Sequence, residues 1–449
     1  MNNQPDASQT QRLPVDEQPF FERPVEIIEN PYASHASDFS PQHHLFNEAM
    51  IHKYNRSGPR YTSYPTALEF QPITDNGSVG GVEETMLHNR DERVPLSLYF
   101  HIPFCRHLCY YCGCNKIITK KNSDAGDYLD YLFAEVKQKR ALLKGNPVVE
   151  QLHLGGGTPT FLSDDELVKL WQFLQSQFTF STKDTADFSI EIDPRELRPN
   201  TLQVLRELGF NRVSFGVQDL EEQVQIAVNR VQSEELITNV MAEARRLGFR
   251  SINIDLIYGL PHQTVSSMQR TVAKIIEIAP DRLSVFNYAH LPERFKGQRQ
   301  INEADLPSPA DKLTMLGNTI NALSEAGYQY IGIDHFAKPD DELAVAQREG
   351  KLHRNFQGYT THGNCDLLGF GVSSISQIGN DYLQNASDLS EYQAAINAKR
   401  LPAVKVIKSR LPDVLRRYVI MNLLCHDYVD FKDVNARFSV DPMTYFISE

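Results

Sequence analysis

The sequence is poor in thiols, in positive charge and in long apolar runs. Six cysteines in 449 residues are too few for a disulfide-stapled secreted scaffold, which points to a reducing, cytoplasmic setting. Lysine and arginine number 45 against 57 acidic residues, a formal net charge of −12. Such a chain lacks the basic face that would hold nucleic acid or an anionic membrane. No run of about 18 uncharged apolar residues occurs, so no membrane span is expected. Residues 1–45 carry Asp6, Asp16, Glu17, Glu22, Glu26, Glu29 and Asp38 against Arg12 and Arg23. With neither an apolar signal core nor an arginine-rich amphipathic pattern, they read as a disordered tail.

What is present is a regular alternation. Apolar residues make up 41% and charged residues 23%, and the length suits one large α/β domain with appendages. Strand-like runs at Leu96–Ile102, Val149–Leu154, Phe188–Ile192, Arg212–Val217, Ser251–Ile257 and Arg282–Asn287 are separated by helical patterns. One of these helices opens with the capping box Ser163-Asp-Asp-Glu166. A last run, Tyr328–Ile333, precedes Asp334-His335. This order predicts parallel βαβ units in a barrel or an incomplete one, with the chemistry at the strand C-terminal ends. Beyond residue 340 the pattern becomes irregular, and helical patterns return from Tyr392 and around Leu411–Cys425.

Four of the six cysteines fall in one loop at the end of the first strand: Cys105, Cys109, Cys112 and Cys114. Cys365 and Cys425 stand alone. Zinc could be held by four thiolates, but structural zinc sites come as two separated pairs. A dithiol redox motif would use Cys109 and Cys112 and leave two thiols unexplained. An iron-sulfur cluster suits several thiolates from one tight loop. At other strand ends, Gly155-Gly156-Gly157 would let backbone N–H groups approach a carboxylate or amino-acid group; a tight turn is the plainer reading. Glu191 and Asp255 are carboxylates in apolar strands and need partners, either a cofactor's hydroxyl or ammonium groups or a structural pairing with Arg195 or Arg212. His101, His290 and His335 receive no assigned role.

The spacing CxxxCxxC, with an aromatic before its last cysteine, resembles the signature of radical S-adenosylmethionine (SAM) enzymes. Further segments are similar to the oxygen-independent coproporphyrinogen III oxidase family of haem biosynthesis. They include Arg60-Tyr-Thr-Ser-Tyr-Pro-Thr66, Tyr99-Phe-His-Ile-Pro-Phe-Cys105, Gly155-Gly-Gly-Thr-Pro159, Gly216-Val-Gln-Asp219, Asn253-Ile-Asp-Leu-Ile-Tyr-Gly-Leu-Pro261 and His353-Arg-Asn-Phe-Gln-Gly-Tyr-Thr-Thr361. The resemblance implies an α/β fold, an incomplete (β/α)6 radical-SAM barrel over 96–340. It also implies a substrate-closing segment at 46–95 and a mostly helical C-terminal domain in 341–449 that stops short of where relatives end. It implies one [4Fe-4S] cluster on Cys105, Cys109 and Cys112 and two SAM molecules. Tyr99, Gly156, Glu191 and Ile375 match contacts to the first molecule; Tyr111, Gly157, Thr158, Gln218, Arg230, Asp255 and Ala289 match contacts to the second. Cys114 is not expected to be a ligand; it has an accessory role and separates these enzymes from related haem chaperones. The substrate implied is coproporphyrinogen III, whose two propionates become vinyl groups, with an external electron donor and acceptor and a monomeric protein. No residue is assigned as catalytic, and Arg60, Lys116 and Arg354 are candidates to clamp substrate carboxylates.

Overall fold

Along the repeating half of the chain, apolar side chains occupy one parity of each strand and polar or small ones the other. That pattern suits a sheet covered by helices on one face and lining a concavity on the other. The computed structural model describes residues 64–73 and 81–447, with Ala49 and Lys53, all within the unit Ser40–Glu449. The expected tail 1–45, Arg60 and most of segment 46–63 lie outside the described residues.

In chain order the first elements are α1 (Gly81–His88), β1 (Leu96–Ile102), α2 (Ser123–Leu142), β2 (Val148–Gly156), α3 (Asp164–Gln177), β3 (Asp187–Ile192) and α4 (Thr201–Glu207). They are followed by β4 (Arg212–Gln218), α5 (Glu222–Ala227), α6 (Glu234–Arg246), β5 (Ser251–Tyr258), α7 (Val265–Ile278), β6 (Arg282–Asn287) and α8 (Pro309–Glu325). Strands β1 to β6 pair in parallel in sequence order, as expected. The Ser163–Glu166 capping box forms at the start of α3, each partner bonding the other's backbone N–H. Leu96, Leu98, Phe100 and Ile102 of β1 are fully buried and join the core that contains Leu129, Leu132 and Val136 of α2. On the opposite parity Tyr99 lies beside His153, Glu191 beside Ser214, and Gly216 beside Asp255. The inner face is therefore polar toward the strand C-terminal ends.

Among the described residues the barrel does not close, and residues after 325 extend its sheet at both edges. Tyr328–Ile333 forms β7 (Gln329–Gly332), but β8 (His335–Ala337) lies between it and β6, antiparallel to both. His335 is thus the first residue of a strand and does not lie at a strand's C-terminal end. The stretch that reads as irregular continues as α9 (Glu342–Arg348), a hairpin of β9 (His353–Asn355) and β10 (Gly358–Thr360), and β11 (Asp366–Phe370). β11 pairs parallel to β1 on its free edge. Next come β12 (Ile375–Ile378), β13 (Asp381–Asn385), α10 (Leu389–Asn397) and β14 (Ala403–Ile407), the three strands adding antiparallel. The helical part of the C-terminal region is α11 (Leu411–His426), α12 (Phe431–Phe438) and α13 (Pro442–Tyr445). Glycines inside β11 and after it blur its sequence signal, yet packing demands one of them: a Cβ on Gly369 would stand 2.6 Å from the Ile375 carbonyl oxygen.

A buried ion network joins these layers. Lys139 of α2, 0% exposed, contacts Glu135 Oε1 at 2.8 Å, Glu83 Oε1 of α1 at 3.0 Å and the Gly369 carbonyl at 2.8 Å. Glu135 also accepts from the Gly371 N–H, Asn385 Nδ2 and the Tyr392 hydroxyl, and Glu83 from the Ala403 N–H. Burial opposes the ammonium charge, but the two carboxylates outweigh it and raise the Lys139 pKa. Removing one partner of such a group leaves uncompensated buried charge. Lys139→Met is expected to lower the unfolding free energy by about 3–5 kcal/mol in a urea titration; a loss under about 1 kcal/mol would contradict this account.

Candidate functional site

The chain leaves β1 at Ile102, and its cysteine loop is fastened on every side. Phe104–Cys105 pairs with Ile117–Ile118, while Gly157 and Thr158 at the end of β2 donate backbone N–H groups to the Ile102 and Phe104 carbonyls at 2.8 and 2.9 Å. His101 bridges Tyr99, whose hydroxyl lies 3.0 Å from Nδ1, and the Asn115 carbonyl, 2.9 Å from Nε2. Lys116 Nζ donates to the Cys112 carbonyl at 2.8 Å. It therefore secures the loop.

Each thiol has its own surroundings. Cys105 Sγ lies 3.5 Å from Thr158 Oγ1, and burial pushes its thiol up to about 11. Cys109 is buried, and two guanidinium groups donate to its sulfur: Arg195 at 3.5 Å and Arg230 at 3.4 Å. Asp193 holds both arginines, at 2.7 and 2.9 Å. The Cys112 thiol is pulled down by a hydrogen bond from Cys114 and by Lys116, against the effect of burial; the Cys114 thiol is raised by that bond and by the Cys112 charge. A tetrahedral zinc site would bring sulfurs within about 4 Å of one another. Among the described residues, Cys105, Cys109 and Cys112 do not form a group with ligand atoms all within 4.8 Å. The donor set fits thiolates spread over several irons better than a single ion.

Above the loop lies the polar inner face. Glu191 accepts from His153 Nε2 at 3.2 Å and from the Gly156 N–H at 3.0 Å. Burial opposes its charge, but these two partners keep its pKa below the ordinary value. The expected alternatives do not form: Arg195 goes to Asp193 and Cys109, and Arg212 to Asp187 and Glu342. The glycine triplet also differs from expectation. The N–H groups of Gly156 and Gly157 already have protein acceptors, and glycine is required instead for close passage, since a Cβ on Gly157 would stand 2.7 Å from the Pro103 backbone.

Gln218 ends β4 at φ 71°, with Oε1 buried and without a hydrogen-bond partner, an acceptor suited to an incoming ammonium or hydroxyl donor. Beside it Arg230 Nη2 donates to the Gly216 carbonyl at 2.5 Å. Gln298 Nε2 donates to both the Tyr111 and Ala289 carbonyls, at 2.9 and 3.2 Å, bringing those two residues together. Ile375 folds over Gly369, which lies beside Tyr99 in register. Arg354 packs its guanidinium on Tyr359, 4.5 Å from the ring centre. His290 bonds the Tyr288 hydroxyl, and His335 is packed between Phe286 and Tyr359, burial holding its pKa down to about 3. Sequence reasoning assigned no role to His153, Asp193 or Gln298. The first was readable from strand parity, the second from its place two residues after Glu191; nothing in the pattern marked Gln298.

Asp255 accepts from Asn253 Nδ2 at 2.8 Å and Ser214 Oγ at 3.1 Å. Burial, then the Glu191 charge, pushes its carboxyl up to about 6 despite these bonds. A raised folded-state pKa means that stability falls as pH rises from the unfolded value, about 4, through 6. Asp255→Asn is expected to stabilise the cofactor-free protein by about 1–3 kcal/mol at pH 7, with the gain fading toward pH 4. Urea titrations at both pH values check it, and a variant less stable at pH 7 contradicts it.

Comparison with known proteins agrees with this geometry. The profile described as Radical SAM superfamily matches residues 99–275. The oxygen-independent coproporphyrinogen III oxidase of Pseudomonas aeruginosa is 53% identical over 401 residues, covering 88% of this chain and 86% of the relative. The protein of the same name from Escherichia coli is 50% identical over 401 residues, covering 89% and 86%. The solved structure of coproporphyrinogen III oxidase (HemN) from Escherichia coli, described as a radical SAM enzyme, aligns with a TM-score of 0.83 at 48% identity, covering 90% of this chain and 89% of that one. A chain that shares half its residues and its fold with these proteins over most of their length belongs to the oxygen-independent coproporphyrinogen III oxidase family of radical SAM enzymes.

Proposed function

We propose that this chain converts coproporphyrinogen III to protoporphyrinogen IX without oxygen, by oxidative decarboxylation of two propionates to vinyl groups in haem biosynthesis. The observation that carries the reading is the three-cysteine loop at the mouth of the barrel, with two arginines on Cys109 and a polar inner face beyond it.

In this reading Cys105, Cys109 and Cys112 hold a [4Fe-4S] cluster, and two SAM molecules bind above it. Bound together, cluster and SAM would supply one-electron reductive cleavage of SAM and removal of hydrogen from the propionate β-carbon, with carbon dioxide and one electron then leaving the substrate. Tyr99, Gly156, Glu191 and Ile375 are assigned to the first SAM; the ionised Glu191 suits hydroxyl or ammonium groups. Tyr111, Gly157, Thr158, Gln218, Arg230, Asp255 and Ala289 are assigned to the second. Support for this grouping is the bridge of Gln298 between Tyr111 and Ala289 and the unpartnered Gln218 oxygen. Arg195 and Arg230 stabilise negative charge at Cys109 through N–H donors. Each decarboxylation passes an electron to an external acceptor, and each cleavage draws one from an external donor.

No helix among the described residues is long and apolar enough to cross a membrane, and a cytoplasmic monomer is the setting proposed. Incubated anaerobically with coproporphyrinogen III, SAM and a reductant, the reconstituted protein is expected to release protoporphyrinogen and 5′-deoxyadenosine. Haem binding without decarboxylation would sink the reading. In parallel, Cys105→Ser should abolish the visible absorbance of the cluster and Cys114→Ser should preserve it; equal loss in both would make Cys114 a ligand.

A further inference from the structure

At the opposite end of the barrel, around the start of β1, the fold gathers three side chains from separate segments. Glu150 lies near the start of β2, Cys365 immediately precedes β11, and His362 follows β10; β2 and β11 flank β1 on its two edges. A carboxylate oxygen, an imidazole nitrogen and the thiol sulfur of these residues all lie within 4.8 Å of one another. Cys365 therefore does not stand alone, as its sequence position suggested. His362 is 7% exposed, with Nδ1 3.8 Å from Glu150 Oε2 and Nε2 buried without a partner.

We propose that Glu150, His362 and Cys365 form a second metal site, distinct from the cysteine loop, for a zinc-class divalent cation. The oxygen, nitrogen and sulfur donors match the ligand set of Zn²⁺, with water at the fourth position. Zinc bonds of about 2.0–2.3 Å place tetrahedral donors about 3.3–3.8 Å apart, so the cluster needs a contraction of about 1 Å, within the reach of side-chain rotation by the half-buried Glu150 and Cys365. The cations at the rim are already matched: Lys183 takes Glu150 Oε1 at 2.9 Å, Arg90 takes Asp366 at 2.8 Å, and Asp187 pairs with Arg212. Once the thiol ionises, the pocket carries net negative charge.

Burial, then the charges of Glu150 and Asp366, pushes the Cys365 thiol up to about 12, so without metal it stays protonated and unreactive. Binding replaces that proton with the cation: one S–H bond breaks, one metal–sulfur bond forms, one proton goes to solvent, and no electron moves. The site would staple the turn between β10 and β11 to the start of β2.

The test uses anaerobic holoenzyme with its cluster assembled, so that Cys105, Cys109 and Cys112 are occupied. After exposure to ZnCl₂ and removal of free metal, zinc and iron are counted by mass spectrometry. The wild type is expected to keep about one zinc per chain and to gain thermal stability from it. The doubly substituted His362→Gln, Cys365→Ala protein should keep its iron but lose most of the zinc and the stabilisation. Glu150→Gln, a milder change at a half-buried position, should weaken zinc retention without altering iron content. A wild type that retains no zinc overturns the proposal, as does equal retention by these variants.

Discussion

Lys139 places an ammonium group in a seam that water does not reach, between two carboxylates that could not remain there without it. The arrangement holds because the remaining lone pairs are met by protein donors from three distant stretches: the Gly371 N–H after β11, Asn385 and Tyr392 beyond it, and the Ala403 N–H of β14. Helix α2, at the front of the barrel, thereby binds both the preceding helix α1 and the C-terminal strands. The site depends on this. β11 is set against β1, Gly369 against Tyr99, and Ile375 over Gly369. A residue far downstream thus completes a site begun at the first strand.

Charge inside the barrel is arranged by depth. At the loop, guanidinium groups held by Asp193 face the Cys109 sulfur. Beyond it Glu191 is kept ionised by His153 and a backbone N–H, while Asp255, beside it and without a cation, has its carboxyl raised. Two carboxylates in one cavity differ because Glu191 accepts from an imidazole and a backbone N–H, whereas Asp255, with hydroxyl and amide donors only, also meets the Glu191 charge. An acidic protein can thus present local positive charge where thiolates need it, although its formal total is −12.

The six barrel strands were legible because each is an apolar, β-rich run bounded by turn residues, and α3 because its capping box is local chemistry. The cysteine loop was legible for the same reason: its ligands are close in sequence. β11 was not. It is short, it is interrupted and followed by glycine, and its burial comes from a partner strand that no local pattern specifies. β8 was hidden because a two-residue turn at Ile333-Asp334 reverses a run that reads as one strand's end. The partners of Glu191 went unread because inner-face neighbours are set by register between strands, and the glycine triplet was misjudged because the N–H groups of Gly156 and Gly157 already serve Glu191 and the Ile102 carbonyl. Cys365, far from the other thiols in sequence, lies next to a histidine and a glutamate only after folding.

The parallel pairing of β1 with β11 also has a consequence for how the protein is made. During synthesis β1 emerges early and β2 soon covers one edge, but the other edge waits for nearly the whole chain. Its polar backbone groups and the apolar side chains beside it stay open to other chains for that interval. A nascent barrel of this design needs shielding until its last strands arrive, and its folding yield depends on the race between translation and self-association.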